Sequence, residues 1–518
     1  MNENTGLKKQ KLGLFAIVGM IYSLTAAGAW GIEDMIPGCG PGLTLIMLIL
    51  LPFVWGLPQA FTDAELASAL PDEGGPYSWV QKTLGEFWGF QMGWWRTLGG
   101  YFDTVTYVAL AAAFMVSFFG LSPIQEYIIK IAIIVIFTII NLQGVRDVAF
   151  INTAISIAIL IGFAIVSIIG FAHFTVNPFT PVIPEGQGWL TSIGQGLAVG
   201  LWMYGGWESM SMVAGEVEKP QLIPKGLLLC IPLIIGTYVI PTAAGLCSVG
   251  NWSGWASDGI SYIDVFKQYA PSWTAIAFLI LAMLSNISMF NGYIASTARG
   301  FFVMAADNLC PKVLVKCSKK KGVPYVGILS VAVVSFFLMS FSFVELVIAT
   351  VTMSLFASSL TQLAGIIRRK RNTHPDGPFK TPMSDAVFTA FTFIPVLVAI
   401  VALYLTGSSD FVHGLIGVLS GPIAYIVFKK MYGGLSVNDP ENHPVNKKTG
   451  LAVGDTKRIA FVFLVWAVLG IAGVFFFPVF ETAEAGDMLF IKIASGVCAV
   501  VGIALYYLGS KKDNAPIF

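Results

Sequence analysis

Blocks of about 20 apolar residues recur along this chain, and that length matches the hydrocarbon core of a bilayer. Only 11% of the residues are charged, whereas a soluble domain has about a quarter. The first block follows a polar N-terminus and leads into further blocks without a small-residue cleavage site, so no cleavable signal peptide is expected. The sequence therefore predicts an all-α, polytopic membrane protein.

Hydropathy predicts about twelve to fourteen spans. The candidate spans lie near residues 12–36, 42–67, 86–119, 124–142, 148–172, 190–213, 225–249, 271–300, 325–341, 343–367, 384–406, 411–430, 458–478 and 488–509. When the N-terminus is placed in the cytoplasm, the basic clusters of residues 8–11, 312–321, 368–380, 447–458 and 511–512 all fall inside. The outside segments keep Lys130, Lys267 and Lys492. This distribution predicts an even number of spans, with both termini in the cytoplasm, in a plasma or inner membrane.

Metal, cofactor and nucleic-acid chemistry have no support in the sequence. The six cysteines and four histidines are scattered, with no C-x-x-C spacing, so neither a metal site nor a disulfide framework is predicted. No Walker A or G-x-S-x-G motif occurs, which argues against ATP-driven pumping and hydrolase activity. We expect no cofactor, no nucleic-acid partner and no enzymatic activity.

Four carboxylates in the predicted spans stand out: Glu33 and Asp34 in the first, Asp103 in the third and Glu208 in the sixth. Acids inside a membrane are costly, so they usually serve function. For Glu33 and Asp34 the alternative is an ordinary outer helix end. For Asp103 the weaker alternative is a structural ion pair with Arg96. An amine, an ammonium group or a proton is the natural partner of such acids.

Two spans share a pattern of small residues, a tryptophan and a carboxylate. "GAWGIED" (28–34) stands in the first span and "YGGWES" (204–209) in the sixth. Glycines weaken a helix, and broken helices at membrane depth line cavities. Broken segments five spans apart are typical of transporters built from inverted repeats, whose half-helix ends face the bilayer midplane.

Several longer motifs resemble the amino acid–polyamine–organocation (APC) superfamily. They are "WGIED", "ELASALPDEGGPYSWVQKTLGEFWGFQMGWW", "LWMYGGWESMSMVAGEVEKPQLIPKGL", "RGFFVMAADNLCPKVL" with "KKGVPYVGI", and "RRKRNTHPDGPFKTP". "GIED", "LPDEGG" and "WSGWASDG" are most similar to the polyamine-uptake transporters of that superfamily. The resemblance implies a five-plus-five inverted repeat with later spans outside it. It also implies secondary transport of a small amine-bearing solute, coupled to protons or another cation, or by exchange.

The resemblance also implies roles for individual residues. The unwound first span would contact substrate, and so would the break of the sixth span and a pocket on the eighth span. Trp202 would be an aromatic gate one turn before the sixth-span break, and Glu208 a coupling or amine-binding carboxylate. The substrate-contacting positions are Ala27, Gly28, Ala29, Trp30 and Gly31, then Tyr204, Gly205, Gly206 and Trp207, and finally Asn291 beside Tyr293.

We therefore expect a secondary transporter for an amino acid or a related amine. The domain organisation would be a cytoplasmic segment 1–11, a ten-helix core 12–370, further spans in 371–510 and a tail 511–518. A polyamine is the alternative substrate, although the eighth span lacks the acids of polyamine-type relatives. The fifth span also lacks the lysine that replaces a sodium ion in some proton-coupled relatives. A channel or a solute sensor on the same scaffold is the alternative of a different class.

Overall fold

A computed structural model of the protein describes residues 13–26, 28–71, 74–144, 148–206, 222–318, 321–372, 375–512 and 516–518. These residues form helices joined by loops, and they contain no β-strand. Within them, eleven helices are long and apolar enough to cross a membrane. The all-α polytopic membrane fold predicted from the sequence is confirmed.

The described helices form, in chain order, a first series before residue 207 and a second series after residue 221. The first series is α1 (Leu14–Thr25), α2 (Ile36–Cys39), α3 (Pro41–Leu51), α4 (Leu57–Ala69), α5 (Pro76–Leu84), α6 (Glu86–Phe119), α7 (Pro123–Gln143), α8 (Val148–Ala172) and α9 (Trp189–Met203). The second series is α10 (Leu222–Val249), α11 (Tyr262–Tyr269), α12 (Ser272–Ala306), α13 (Tyr325–Leu338), α14 (Phe343–Arg371), α15 (Asp385–Leu405), α16 (Ser408–Tyr432), α17 (Asp455–Val479) and α18 (Ala485–Lys512). A π-helical turn joins α3 and α4 into one span.

The helices of the first and sixth predicted spans are too short to cross a bilayer alone. α1 has 12 residues and α9 has 15. At about 1.5 Å per residue they reach roughly 18 and 22 Å, whereas a bilayer core is about 30 Å thick. Both helices therefore end inside their predicted spans, close to the small residues Gly28, Gly205 and Gly206.

Two long helices pack closely against α6 because α6 carries glycines at the contacts. A Cβ atom added to Gly99 would lie 3.2 Å from the Cβ of Met353 on α14. One added to Gly100 would lie 3.0 Å from Oγ1 of Thr297 on α12. Small residues let helix backbones approach in membranes. α6 therefore sits between α12 and α14, and it brings its next turn, with Asp103, into the interior of the bundle.

The later spans are attached to this core through α16. Pro422 has no N–H, so the carbonyl of Val418 four residues earlier loses its helical partner. The indole Nε1 of Trp95 on α6 donates to that carbonyl oxygen at 3.0 Å. The neighbouring Trp94 donates to Oγ of Ser420 at 2.8 Å. The α6 helix thus supports the proline site of α16.

Candidate functional site

The first span unwinds directly after α1. Ala26 has an extended backbone, and Gly28 and Gly31 have φ angles of +102° and +91°. Side chains other than glycine rarely adopt such angles, so these two glycines allow the chain to leave the helix. A 3₁₀ turn over Ile32–Asp34 then leads into α2. Ala27, a predicted contact residue, lies outside the described residues.

The sixth span unwinds after α9, which ends at Met203. The hydroxyl of Tyr238 on α10 donates to the Met203 carbonyl at 3.2 Å, and that of Tyr204 donates to the carbonyl of Leu48 on α3. These bonds satisfy backbone carbonyls around the helix end. Gly206 follows with a φ of +87°. The predicted site residues Trp207 and Glu208 lie outside the described residues.

Trp202, the predicted gate, contacts a predicted carboxylate. Its Nε1 donates to Oδ1 of Asp103 on α6 at 2.8 Å. Its ring centroid lies 5.7 Å from that of Tyr107 and 5.5 Å from that of Phe343, and Tyr107 lies 5.0 Å from Tyr293. These four rings, which we call the aromatic cluster, join α6, α9, α12 and α14 around a partly buried carboxylate.

The unwound first span touches the same cluster through Gly31. A Cβ atom added to Gly31 would lie 2.5 Å from Cζ of Phe343. The ring of Phe343 therefore occupies space that any larger residue at position 31 would fill. Both helix breaks, Asp103 and Tyr293 are thus brought together in one region, although they are distant in sequence.

Trp30 points its side chain away from this cluster. Its Nε1 donates to Oγ of Ser285 at 3.1 Å, and its ring lies within 5.4 Å of Phe114, Phe163 and Phe278. The indole is buried among these rings. Trp30 therefore anchors the break to α6, α8 and α12, and a substrate contact at this position would use its backbone.

Asn291 and Tyr293, both predicted to contact substrate, face different neighbours. Oδ1 of Asn291 accepts a hydrogen bond from Nδ2 of Asn141 on α7 at 2.8 Å, whereas the ring of Tyr293 lies tilted against Tyr107 of α6. Residues two apart on a helix are separated by about 200° around its axis, so they face different neighbours. Asn291 links α12 to α7, and Tyr293 belongs to the aromatic cluster.

Glu33 and Asp34 differ in exposure. Glu33 is 3% exposed, and its Oε2 accepts the N–H of Gly31 at 2.9 Å. Its Oε1 is buried without a hydrogen-bond partner in the described structure. Asp34 is partly buried. Glu33 is therefore enclosed by the turn that follows the first-span break, and Asp34 lies nearer the surface.

Two cluster residues were not identified from the sequence. Tyr107 lies four residues after Asp103 on α6, so its position on the same helix face was available as a signal. Phe343 is the first residue of α14, and no sequence pattern connects it with Gly31 or Trp202. Its place follows from the packing of α14 across the first-span break.

Replacing Gly31 with alanine should impair the site. The backbone angle of +91° costs a non-glycine residue about 1–2 kcal/mol, and the new methyl group would meet Phe343. We expect Gly31→Ala to lower the melting temperature and to slow uptake several-fold in vesicles. Gly13→Ala, which meets nothing within 4 Å, is the matched control. Equal behaviour of the two variants would show that neither the backbone angle nor the Phe343 contact matters.

Interrupted spans around a partly buried carboxylate and a cluster of aromatic rings define a multi-pass membrane transport protein. The family model for amino acid permeases matches residues 12–428, and the chain belongs to this family within the APC superfamily. It is therefore a secondary transporter. The match ends within α16, so α17 and α18 lie beyond it.

Several similar proteins are named for the transport of amine-bearing solutes. The chain is 27% identical to a probable polyamine transporter of Arabidopsis thaliana, over 83% of this chain and 87% of the relative. It is 27% identical to a polyamine transporter of Oryza sativa subsp. japonica, over 82% and 81%. It is 22% identical to an arginine/ornithine antiporter of Latilactobacillus sakei, over 64% and 73%.

Proposed function

We propose that this transporter carries an amino acid or a related small amine through the plasma or inner membrane, with both termini in the cytoplasm. The observation that carries the proposal is the carboxylate of Asp103, which is bonded to the Trp202 indole between the two helix breaks. The rings of Tyr107 and Tyr293 lie beside it, with their centroids 5.0 Å apart. A carboxylate next to aromatic faces is a favourable environment for an ammonium group.

The two breaks supply the remaining contacts in this proposal. Backbone N–H groups of the unwound segments 28–31 and 204–206 would bind a substrate carboxylate, as half-helix ends do in related architectures. Trp202 would close over the bound solute from α9. Glu208, Ala27 and Trp207 keep the roles expected from the sequence. The core 12–370 would perform transport, and the later spans 371–510 would surround it.

A polyamine is the second candidate substrate, because relatives that cover most of this chain are named polyamine transporters. A polyamine has no carboxylate, so it would not use the backbone N–H groups. It would instead need several acids, and Asp103, Glu33, Asp34 and Glu208 are the available ones. Substrate charge therefore separates the two candidates.

Counterflow in proteoliposomes tests the proposal. Vesicles are loaded with unlabelled arginine, leucine or putrescine, and entry of the same labelled solute is followed. A carrier accelerates labelled entry when the unlabelled solute is inside, whereas a channel does not. Thermal stabilisation by the same solutes gives an independent binding measurement, since about 100 Kd of ligand adds ~2.7 kcal/mol. Absence of both counterflow and stabilisation for a broad amine panel would refute the proposal.

Neutralising Glu33 and Asp34 together tests how transport is coupled. We propose that coupling uses a proton or another cation, or exchange, and that these acids take part. If the substrate is cationic, Glu33→Gln with Asp34→Asn should weaken its binding more than that of neutral analogues, and the difference should shrink as salt rises. If the substrate is a neutral zwitterion, the same double variant should flatten the pH profile of uptake. If the double variant has the affinity, salt response and pH profile of the wild type, neither Glu33 nor Asp34 takes part in substrate binding or coupling.

A further inference from the structure

Residues 516–518, which we call the tail segment, lie against three helices at the predicted cytoplasmic side. Nε1 of Trp88 on α6 donates to the carbonyl oxygen of Ile517 at 2.7 Å, and Nε of Arg458 on α17 donates to it at 3.3 Å. Nη2 of Arg371, the last residue of α14, donates to the main-chain oxygen of Phe518 at 2.7 Å. The tail segment therefore bridges α6, α14 and α17.

The ring of Phe518 completes this contact. It stacks on Trp88 with centroids 5.0 Å apart and planes at 15°, and it meets Phe461 of α17 edge to face at 5.3 Å. Trp88 is 3% exposed with the tail segment in place. Trp88, Arg371, Arg458 and Phe461 thus form a tail pocket with two aromatic walls and three donors for main-chain oxygens.

The tail pocket is held in place by a buried ion cluster. Nη1 of Arg458 donates to Asp455 at 2.9 Å, and Asp455 accepts from the hydroxyl of Tyr425 on α16. The same hydroxyl contacts Glu86 at 3.0 Å, two residues before Trp88, and Glu86 also pairs with Lys429. The pocket walls on α6 and α17 are therefore fixed relative to each other, while Arg371 belongs to a different helix.

Two of the bridged helices extend to the functional site. α6 is continuous from Trp88 through Asp103 and Tyr107, and α14 is continuous from Phe343 to Arg371. A continuous helix moves largely as a rigid rod, so a restraint on one end limits movement at the other. The contacts of the tail segment are few, and Ile517 and Phe518 stay partly exposed. Small, exposed contacts of this kind open at low free-energy cost.

We propose that the tail segment is a reversible strap that holds the predicted cytoplasmic ends of α6 and α14 together. Release of the strap permits the site to open towards the cytoplasm, and docking restrains that opening. The occupant of the tail pocket is the segment 516–518 of this same chain. The effect of the strap on transport rests on the proposed function. Docking of the tail segment and opening of the site can be measured without any substrate.

Accessibility of the site tests the strap directly. Of the six cysteines, Cys317 is exposed and the other five are buried, so Cys317→Ser gives a protein with low background labelling by maleimide. In that protein Tyr293→Cys reports whether the aromatic cluster is reached by a water-soluble maleimide from the predicted cytoplasmic side. Adding Phe518→Ala should raise the labelling rate several-fold. Adding Phe475→Ala, an exposed aromatic position on α17, should not change it. Equal labelling with and without Phe518→Ala would overturn the strap.

A disulfide between the tail segment and α17 separates the strap from a contact that only stabilises the fold. The strap predicts that the disulfide lowers counterflow, whereas a stabilising contact predicts that it raises counterflow. Phe518→Cys and Phe461→Cys are introduced together in the Cys317→Ser protein, and oxidation joins the tail segment to α17 through a disulfide. Counterflow of arginine and of putrescine is then measured before and after the disulfide is reduced. The strap requires low counterflow when oxidised and recovery on reduction, with Phe518→Cys alone insensitive to both. Higher counterflow in the oxidised form would mean that docking only stabilises the fold, which overturns the proposal. Failure of the proposed function would show as neither counterflow nor thermal stabilisation with any solute of the amine panel in the protein without these substitutions, and the labelling result alone would then decide the strap.

Discussion

Substituting Asp103 with asparagine should weaken binding of amine substrates about ten- to a hundredfold. Asparagine keeps the volume, and its Oδ1 still accepts the hydrogen bond from Trp202, so the geometry of the site is retained. The variant removes the negative charge that we propose binds the ammonium group of the substrate. Hydrogen bonds to charged groups contribute about 1.5–3 kcal/mol, which corresponds to that loss of affinity. Equilibrium binding of a labelled amine to the purified protein measures it.

Two further substitutions distinguish the negative charge of Asp103 from its structural role as the hydrogen-bond partner of Trp202. Glu185→Gln removes one negative charge from an exposed residue of the loop before α9, and it should leave affinity unchanged. Trp202→Phe removes the indole donor but keeps an aromatic ring beside Tyr107, so it should be milder than Trp202→Ala, which should impair uptake strongly. An Asp103→Asn protein with wild-type affinity would mean that Asp103 only supports Trp202. The ammonium partner would then be another acid.

Substituting Glu65 with glutamine should destabilise the protein by about 3–5 kcal/mol. Glu65, on α4, is 1% exposed and accepts from Arg368 at 2.6 Å and from Nε of Arg369 at 2.7 Å. It also accepts the N–H of Thr381 at 2.9 Å. Removing one partner of a buried ion cluster leaves uncompensated charge, and that penalty exceeds the value of the pair itself. Here Arg368 and Arg369 would lose their shared buried carboxylate and keep as ion partners the exposed Asp376 and Asp385, respectively, at the longer distance of 3.3 Å.

An exposed ion pair provides the control for Glu65. Lys380 pairs with Asp376 at 2.8 Å, and both side chains are more than 40% exposed. Asp376 also accepts from Arg368 at 3.3 Å, so Lys380→Gln changes only the exposed end of the same ion network. Such pairs contribute about 0–1 kcal/mol, so Lys380→Gln should melt close to the wild type. Thermal unfolding of both detergent-solubilised variants makes the comparison. A Glu65→Gln protein as stable as Lys380→Gln would mean that the arginines find other partners, such as the Met383 carbonyl that already accepts from Arg369.

The ion cluster of Glu65, Arg368 and Arg369 could not be predicted from motifs. "ELASALPDEGG" and "RRKRNTHPDGPFKTP" are separate stretches of the sequence, each similar to the same superfamily. The structure places Glu65 from the first stretch against Arg368 and Arg369 from the second. The separation is about 300 residues, and no local pattern encodes which acid pairs with which base.

Local order in the membrane was largely predictable from the sequence. A span must satisfy its backbone hydrogen bonds internally and match the bilayer thickness, so long apolar blocks form helices whatever their neighbours are. Glycines at positions 28, 31 and 206 marked the helix breaks because their positive backbone angles exclude most other residues. For Ala27, Trp207 and Glu208 the predicted roles remain predictions.

Side-chain direction was decided only by the tertiary structure. The sequence does not show that the ring of Trp30 packs against Phe114, Phe163 and Phe278, and its substrate contact remains a prediction. It also does not show that Asn291 bonds to Asn141, away from Tyr293. Phe343 and the tail segment gave no signal in the sequence. The sequence by itself determined the membrane-spanning helices and their interruptions, because bilayer thickness and backbone geometry act locally. Which side chains meet in the site depends on how helices far apart in the chain pack and rotate, and that is a property of the whole bundle.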